Sequence, residues 1–274
     1  MEAPNVVHLL PKLDELLITL LQSLTAAEWQ AQTVARLWKV KDVAAHLLDG
    51  NIRVLSMLRD GYFGEHTNVD NYEGLVEYLN SLNADWVKAM KRVSPQMLIL
   101  LHQVTGPMYC RYYASLNPLD LSPFAVGWMG ERESTNYTHI AREYTEKWLH
   151  QQQIRDAVGK PGLMTKELFH PFIGTFMLGL PHTYRNIQAE EGTVVQVTVT
   201  SDIGDSWFLL HSNGRWQLAA DCTKPADAEV YIEPAIAWKL FSKSIRPEQV
   251  MDELTLGGNR QLAATALDMI SVMA

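Results

Sequence analysis

Glu146 and His150 lie four residues apart in the run Ala141-Arg142-Glu143-Tyr144-Thr145-Glu146-Lys147-Trp148-Leu149-His150. At about 100° per residue, that spacing stacks a carboxylate and an imidazole on one face of a helix, close enough for one metal ion to bridge them. A third ligand has to come from elsewhere in the chain. The best candidate is His46, in Trp38-Lys39-Val40-Lys41-Asp42-Val43-Ala44-Ala45-His46-Leu47-Leu48, which reads as a helix with His46 beside an apolar stripe. Two nitrogens and one carboxylate oxygen leave a divalent ion an open position, the arrangement of a catalytic site rather than a closed structural one. Spacing alone does not select the pair, because His139 and Glu143 repeat it on the same stripe, within about 40° of His150. The stripe continues into Ile154 and Ala157, residues of an interior face. A carboxylate among apolar neighbours calls for a compensating charge or a metal.

The elements that must position these groups are legible in the hydrophobic pattern. Leu9, Leu13, Leu16, Leu17, Leu20, Leu21 and Leu24 recur at helical spacing and predict an opening helix. Thr25-Ala26-Ala27-Glu28 has the form of a capping box before a short helical turn. A long helix follows from about Val40 to Gly61, with Val40, Val43, Leu47, Val54 and Leu58 inward and Gly61 as its stop. Further helical patterns run from about Tyr72 to Arg92 and from Pro95 to about Leu116, and Asn117-Pro118 and Ser122-Pro123 break the pattern before the ligand-bearing helix. These features predict a four-helix bundle over residues 1–160 with the metal site in its core. A Pro- and Gly-punctuated connector with one short helix is expected over 161–185. The period then changes. Thr193–Thr200, Ser206–His211 and Arg215–Leu218 alternate across turns holding Gly204 and Asn213-Gly214, and predict an antiparallel meander. Ala228–Ile232 makes another strand, Pro234 opens a helix to Phe241, and Gly257-Gly258 precedes a terminal helix ending near Met273. Residues 186–274 are therefore expected to form a small α+β domain with an antiparallel sheet, and the whole chain an α plus α/β two-domain protein.

Composition excludes several functions. Among 274 residues the net charge is −8, so no basic field exists to attract nucleic acid or an anionic membrane. Cys110 and Cys222 are too few for a disulfide framework and wrongly spaced for a zinc knuckle, which points to a reducing cytoplasm. The first residues lack a secretory signal and no stretch approaches about 18 uninterrupted apolar residues, so no membrane anchoring is expected. Cys110, among Tyr109, Tyr112 and Tyr113, reads as core rather than as a nucleophile. Trp38, Trp148, Trp207, Trp216 and Trp238 fit packing roles, and His66, His102, His170, His182 and His211 lack ligand-like neighbours. Arg260, where a loop meets the expected last helix, could offer a guanidinium fork to a substrate carboxylate.

Over nearly its full length the chain resembles the mycothiol-dependent maleylpyruvate isomerases and the wider DinB-like metalloproteins. The resemblance rests first on Trp38, Val40, Asp42, Val43 and His46. It rests also on Ala141, Arg142, Glu146, Trp148, His150, Asp156, Ala157 and Gly159. It implies metal ligands at His46, Glu146 and His150, resolving the choice against His139-Glu143, with zinc or another divalent ion as cofactor. It further implies a DinB-like bundle followed by a sterol-carrier-protein-like domain, marked by Ala226–Val230, Trp238–Phe241 and Gly257–Arg260. Where family members often carry aspartates, this chain has Gln153 and Asn259. The implied activity is that of a thiol transferase or isomerase, in which a low-molecular-weight thiol adds to a small electrophile whose carboxylate meets Arg260 as a catalytic residue. Two other functions share the pattern: a small-molecule hydrolase using ion-bound water, and a non-catalytic metal- and ligand-binding protein.

Overall fold

The structure is a computed structural model that describes residues 2–64 and 72–269. His66 and the expected end of the last helix near Met273 lie outside the described residues. Two compact units are present. One comprises Val6–Asp120 and Glu146–Gly162; the other gathers Leu121–Thr145 with the chain from Leu163 onward.

In the helical unit, α1 (Leu10–Gln22) carries Pro11 in its first turn, where a missing N–H costs nothing, and buries Leu10, Leu13, Leu17, Leu20 and Leu21. The Thr25–Glu28 capping box forms reciprocally: Thr25 N–H donates to Glu28 Oε2 at 2.6 Å and Glu28 N–H donates to Thr25 Oγ1 at 3.2 Å. Helix α2 (Val40–Arg53) starts where Asp42 reaches back to accept from the Lys39 backbone N–H at 3.0 Å, which gives the motif aspartate a local task, capping the helix that carries His46. Replacing Asp42 by alanine is expected to destabilise the unit by about 1 kcal/mol, measured by denaturant unfolding. The helical path continues as a π-helical turn, Val54–Arg59, before Gly61 takes a positive φ of 69°.

Helix α3 (Tyr72–Met90) is tied to α2 by Trp86 Nε1–H, which donates to the Ala45 carbonyl at 2.9 Å. Helix α4 (Pro95–Ala114) is capped by Ser94, whose hydroxyl accepts from Met97 N–H at 3.2 Å. The core between these helices is built from Leu17, Leu21, Val40, Val43, Ala44, Leu48, Leu98 and Ile154. The last of these belongs to α5 (Asn136–Val158), whose first half lies in the other unit. Among the described residues no helix is long and apolar enough to cross a membrane.

The sheet unit contains a five-stranded sheet in the order β3-β2-β1-β4-β5. β1 (Val194–Val199), β2 (Asp205–Ser212) and β3 (Arg215–Ala219) form the antiparallel meander expected from their alternation, with Trp207, Leu209 and Trp216 buried. Asn213 and Gly214 both have positive φ, 53° and 71°, as a two-residue hairpin turn with the twist of its strands demands. β4 (Ala228–Ile232) pairs with β1 in parallel. The strand that the pattern did not announce is β5 (Thr255–Gly258), antiparallel to β4. Its two glycines carry no β signal, yet a Cβ at Gly258 would stand 2.3 Å from the Asp227 carbonyl oxygen, so side-chain absence is what permits the pairing.

The segment expected as a connector is corrected in its content. It carries α6 (Lys166–Met177) and the short α7 (Leu180–Thr183), and Phe169, Phe172 and Phe176 of α6 are fully buried. Pro171 lies inside α6, and burial of the aromatic face outweighs the hydrogen bond that it forgoes. Helix α8 (Pro234–Phe241) begins at its proline as expected. The terminal helical segment is shorter than expected within the described residues: α9 (Arg260–Ala264) followed by a 3-10 turn to Asp268.

Candidate metal centre

His46 sits in the middle of α2, 9 % exposed, while Glu146 and His150 stand one turn apart on α5 and are half-buried. Each offers one donor atom, and these atoms all lie within 4.8 Å of one another. The edge between His150 Nε2 and Glu146 Oε2 measures 3.3 Å. With metal–ligand bonds of about 2.05 Å, a tetrahedral ion has ligand–ligand edges of roughly 3.3 Å, so that edge already has the dimension of a metal site. The other separations are no more than 4.8 Å. Two imidazoles and a carboxylate are a donor set that suits zinc and leaves one coordination position open. The residues present therefore fit a divalent ion.

Neighbouring groups hold the imidazoles in place. His150 Nδ1–H donates to Gln153 Oε1 at 2.9 Å, which fixes the tautomer that presents Nε2 as a donor to the ion. Gln153 thus supplies, one turn along α5, the acceptor that an aspartate would supply. Its replacement by alanine is expected to weaken zinc binding about 10- to 100-fold in chelator competition, with Gln153→Asp retaining the affinity. The rings of His46 and His150 meet edge to face with centroids 4.5 Å apart, and Trp38 lies over both, at 4.8 Å from His46 and 6.2 Å from His150. Trp38 is held there through its backbone: its N–H donates to the Ala35 carbonyl at 2.8 Å, and its own carbonyl accepts from Thr33 Oγ1 at 2.7 Å. The tryptophan expected only to pack is a wall of the site.

A second supporting group was not legible in the sequence. Lys147, next to Glu146, is buried, donates to Asn51 Oδ1 and lies 4.1 Å above the centre of the Tyr109 ring. Asn51 Nδ2 in turn donates to Thr105 Oγ1 at 3.0 Å. This chain of contacts fastens α5 to α2, the two ligand-bearing helices, and to α4. A lysine about 60° around the helix from His150 reads from sequence as solvated, and only the packed partner reveals otherwise.

The alternative pair is occupied differently. His139 Nε2 stands 3.9 Å from Glu143 Oε1, and Arg142 pairs with the same carboxylate; His139 and Glu143 are both buried in the sheet unit. Burial lowers the pKa of His139, with Glu143 opposing and Arg142 adding to the shift. Among the described residues, His46, Glu146 and His150 form the donor set of metal-site size.

Arg260 is exposed at the first position of α9, in the sheet unit, whereas all three donors belong to the helical unit. Asn259 caps that helix by accepting from Leu262 N–H at 3.1 Å, so the residue standing in place of the aspartate keeps a capping function. Cys110 is buried, and burial first, then the Asp14 carboxylate, push its thiol up to about 11, which removes it as a nucleophile at neutral pH.

Fold and site together define a class: a helical unit with a two-histidine, one-glutamate donor set of metal-site dimensions, in a chain that also carries a mixed α/β unit. Residues 10–155, more than half of the chain, match the family described as the mycothiol maleylpyruvate isomerase N-terminal domain, and the chain belongs to that family. The fold is similar to crystal structures of the mycothiol-dependent maleylpyruvate isomerase. A mutant of that enzyme aligns with a TM-score of 0.57 at 12% identity, over 94% of this chain and 96% of the other. A second structure of it aligns with a TM-score of 0.56, again at 12% identity, over 89% and 93%. No curated protein matches the sequence.

Proposed function

We propose that this protein is a metal-dependent thiol transferase or isomerase that uses a low-molecular-weight thiol on a small electrophilic substrate, in the manner suggested by the name of the maleylpyruvate isomerases it resembles. The observation that carries this reading is the convergence of His46, Glu146 and His150 within 4.8 Å, from two helices of a chain in that family. Those three residues would hold the ion, most suitably zinc. When bound, the ion supplies positive charge that favours the thiolate form of a thiol, the nucleophilic form. The chain's own groups do the rest. Gln153 fixes the donor nitrogen of His150, and Trp38 covers one side of the two imidazoles and limits their access to water. Arg260 is assigned to a substrate carboxylate, because a guanidinium fork matches that group in two parallel hydrogen bonds. Residues 186–274 belong to the same reading as a sterol-carrier-protein-like domain.

The test is turnover of a cis-unsaturated keto acid by zinc-loaded protein, followed by the change in ultraviolet absorbance, with and without added low-molecular-weight thiols. Activity that requires both zinc and thiol supports the proposal. Turnover of an ester or amide without any thiol would instead identify a hydrolase, and zinc binding with no turnover of either kind would leave a binding protein.

A further inference from the structure

Lys147, Gln151 and Arg155 follow one another at four-residue spacing on α5 and are all buried, so a polar stripe runs along a helix face turned into the protein. Around the helix axis this stripe lies about 120° from the face that carries Glu146 and His150. Taking an ammonium out of water is costly, and well-packed apolar side chains in place of a buried charged network are often as stable or more so. Stability alone therefore does not account for a lysine at position 147.

What surrounds Lys147 comes from three other helices. Asn51 of α2 accepts from its Nζ and is itself held by donating through Nδ2 to Thr105 Oγ1 of α4 at 3.0 Å, while Thr105 donates to the Leu101 carbonyl at 2.8 Å. The Tyr109 ring of α4 has its centre 4.1 Å from the ammonium. Asp14 comes from α1 and packs so closely on α4 that a Cβ on Gly106 would overlap its carboxylate, which accounts for a glycine inside that helix. Asp14 is buried, its Oδ1 has no hydrogen-bond partner among the described residues, and the charge that opposes the effect of burial on its ionisation is that of Lys147. His102 of α4, its pKa lowered to about 4 by burial and then by the same lysine, adds no second cation at neutral pH. One ammonium thereby engages α1, α2 and α4 together.

We propose that Lys147 is a positioning residue for the metal centre: its anchorage among Asn51, Tyr109 and Asp14 fixes the rotation of α5 about its own axis, so that Glu146, one residue before it, and His150, three after it, face His46 on α2. Apolar contacts are non-directional and would leave that rotation loosely defined, whereas a hydrogen bond and a cation over a ring have preferred geometries. A rotation of about 20° moves a donor atom lying roughly 5–6 Å from the axis by about 2 Å, as much as the length of a zinc–nitrogen bond. The inference deepens the reading under Proposed function and rests on its metal centre.

The experiment compares zinc affinity, by chelator competition, with folding stability, by urea unfolding of metal-free protein. A triple variant, Asp14→Asn with Asn51→Leu and Lys147→Met, removes the whole network and leaves no buried charge of it uncompensated. Its unfolding midpoint is expected at or above that of the wild type while zinc affinity falls at least about 10-fold. A role confined to packing would move the two quantities together. Asn51→Ala, which removes only the acceptor on α2, is expected to weaken zinc binding about 3- to 10-fold, and Asn51→Asp, which restores an acceptor for the ammonium, to recover it. This second pair decides the question should the triple variant not fold. Wild-type zinc affinity in a folded triple variant, or in Asn51→Ala, overturns the positioning role and leaves the metal centre standing. Failure of the wild type itself to bind zinc overturns both.

Discussion

Replacing His150 by alanine is expected to weaken zinc binding on the order of 10³-fold or more, while the apoprotein loses less than about 1 kcal/mol of stability. The asymmetry follows from where the side chain sits. It is half-buried, and what it touches is the site itself: Glu146 at 3.3 Å, the His46 ring at 4.5 Å between centroids and the Gln153 amide at 2.9 Å. Removing it deletes one of three donors and leaves two, from different helices, to hold the ion. Loss of a supporting group alone already costs about 10- to 100-fold in comparable sites, so loss of a ligand must cost more. An exposed or half-exposed ion pair contributes less than about 1 kcal/mol to folding, which sets the small stability term. Competition with a zinc chelator measures the first quantity and urea unfolding of metal-free protein the second. His139→Ala is the control: zinc affinity should not change, because His139 is engaged with Glu143. Unaltered zinc affinity in the His150 variant would refute the assignment of all three ligands.

The second large effect concerns pH. His102 is completely buried on α4, its Nε2–H donating to the Ala44 carbonyl at 2.9 Å, and its Nδ1 has no hydrogen-bond partner. Burial first, and then the nearby Lys147 charge, lower its pKa from 6.5 to about 4, against a smaller opposing contribution from the Ala44 bond. The folded protein therefore binds this proton less readily than the unfolded chain does. Stability is fully present above pH 6.5, falls as the pH drops through the interval from 6.5 to 4, and is completely lost to this group below about 4. The shift corresponds to roughly 3 kcal/mol. Denaturant unfolding of the wild type between pH 7 and 4 should show the decline. His102→Gln, which keeps an amide donor for the Ala44 carbonyl but cannot titrate, should lose less across the same interval. A parallel decline in the two proteins would sink the assignment. Asp14 works in the opposite sense. Burial raises its pKa, opposed by Lys147, so its ionisation costs stability as the pH rises and part of the His102 loss is offset below neutrality.

These two histidines mark the limits of reading a chain without its fold. His102 looked featureless in sequence because its behaviour depends on a carbonyl 58 residues away and on complete exclusion of water. His150 was legible because its main partners, Glu146 and Gln153, lie within one turn of the same helix. The capping box at Thr25, the stop at Gly61 and the Asn213-Gly214 hairpin were legible for the same reason. Each is a bargain struck among residues within four positions of one another, and short-range geometry fixes such arrangements wherever they occur.

What the sequence determined by itself was thus the local set: helices from their apolar period, the meander from its alternation, and the carboxylate–imidazole spacing on α5. It offered His139-Glu143 on equal terms with Glu146-His150, and residue spacing had no means of separating them. Tertiary structure decided that His46, a hundred residues upstream, meets the second pair, that Lys147 is buried against Asn51 and Tyr109, that α6 is core, and that two glycines form an edge strand. The physical reason is common to all four. Each depends on which surfaces exclude water together, and that depends on contacts between distant segments, which no periodicity within one segment encodes.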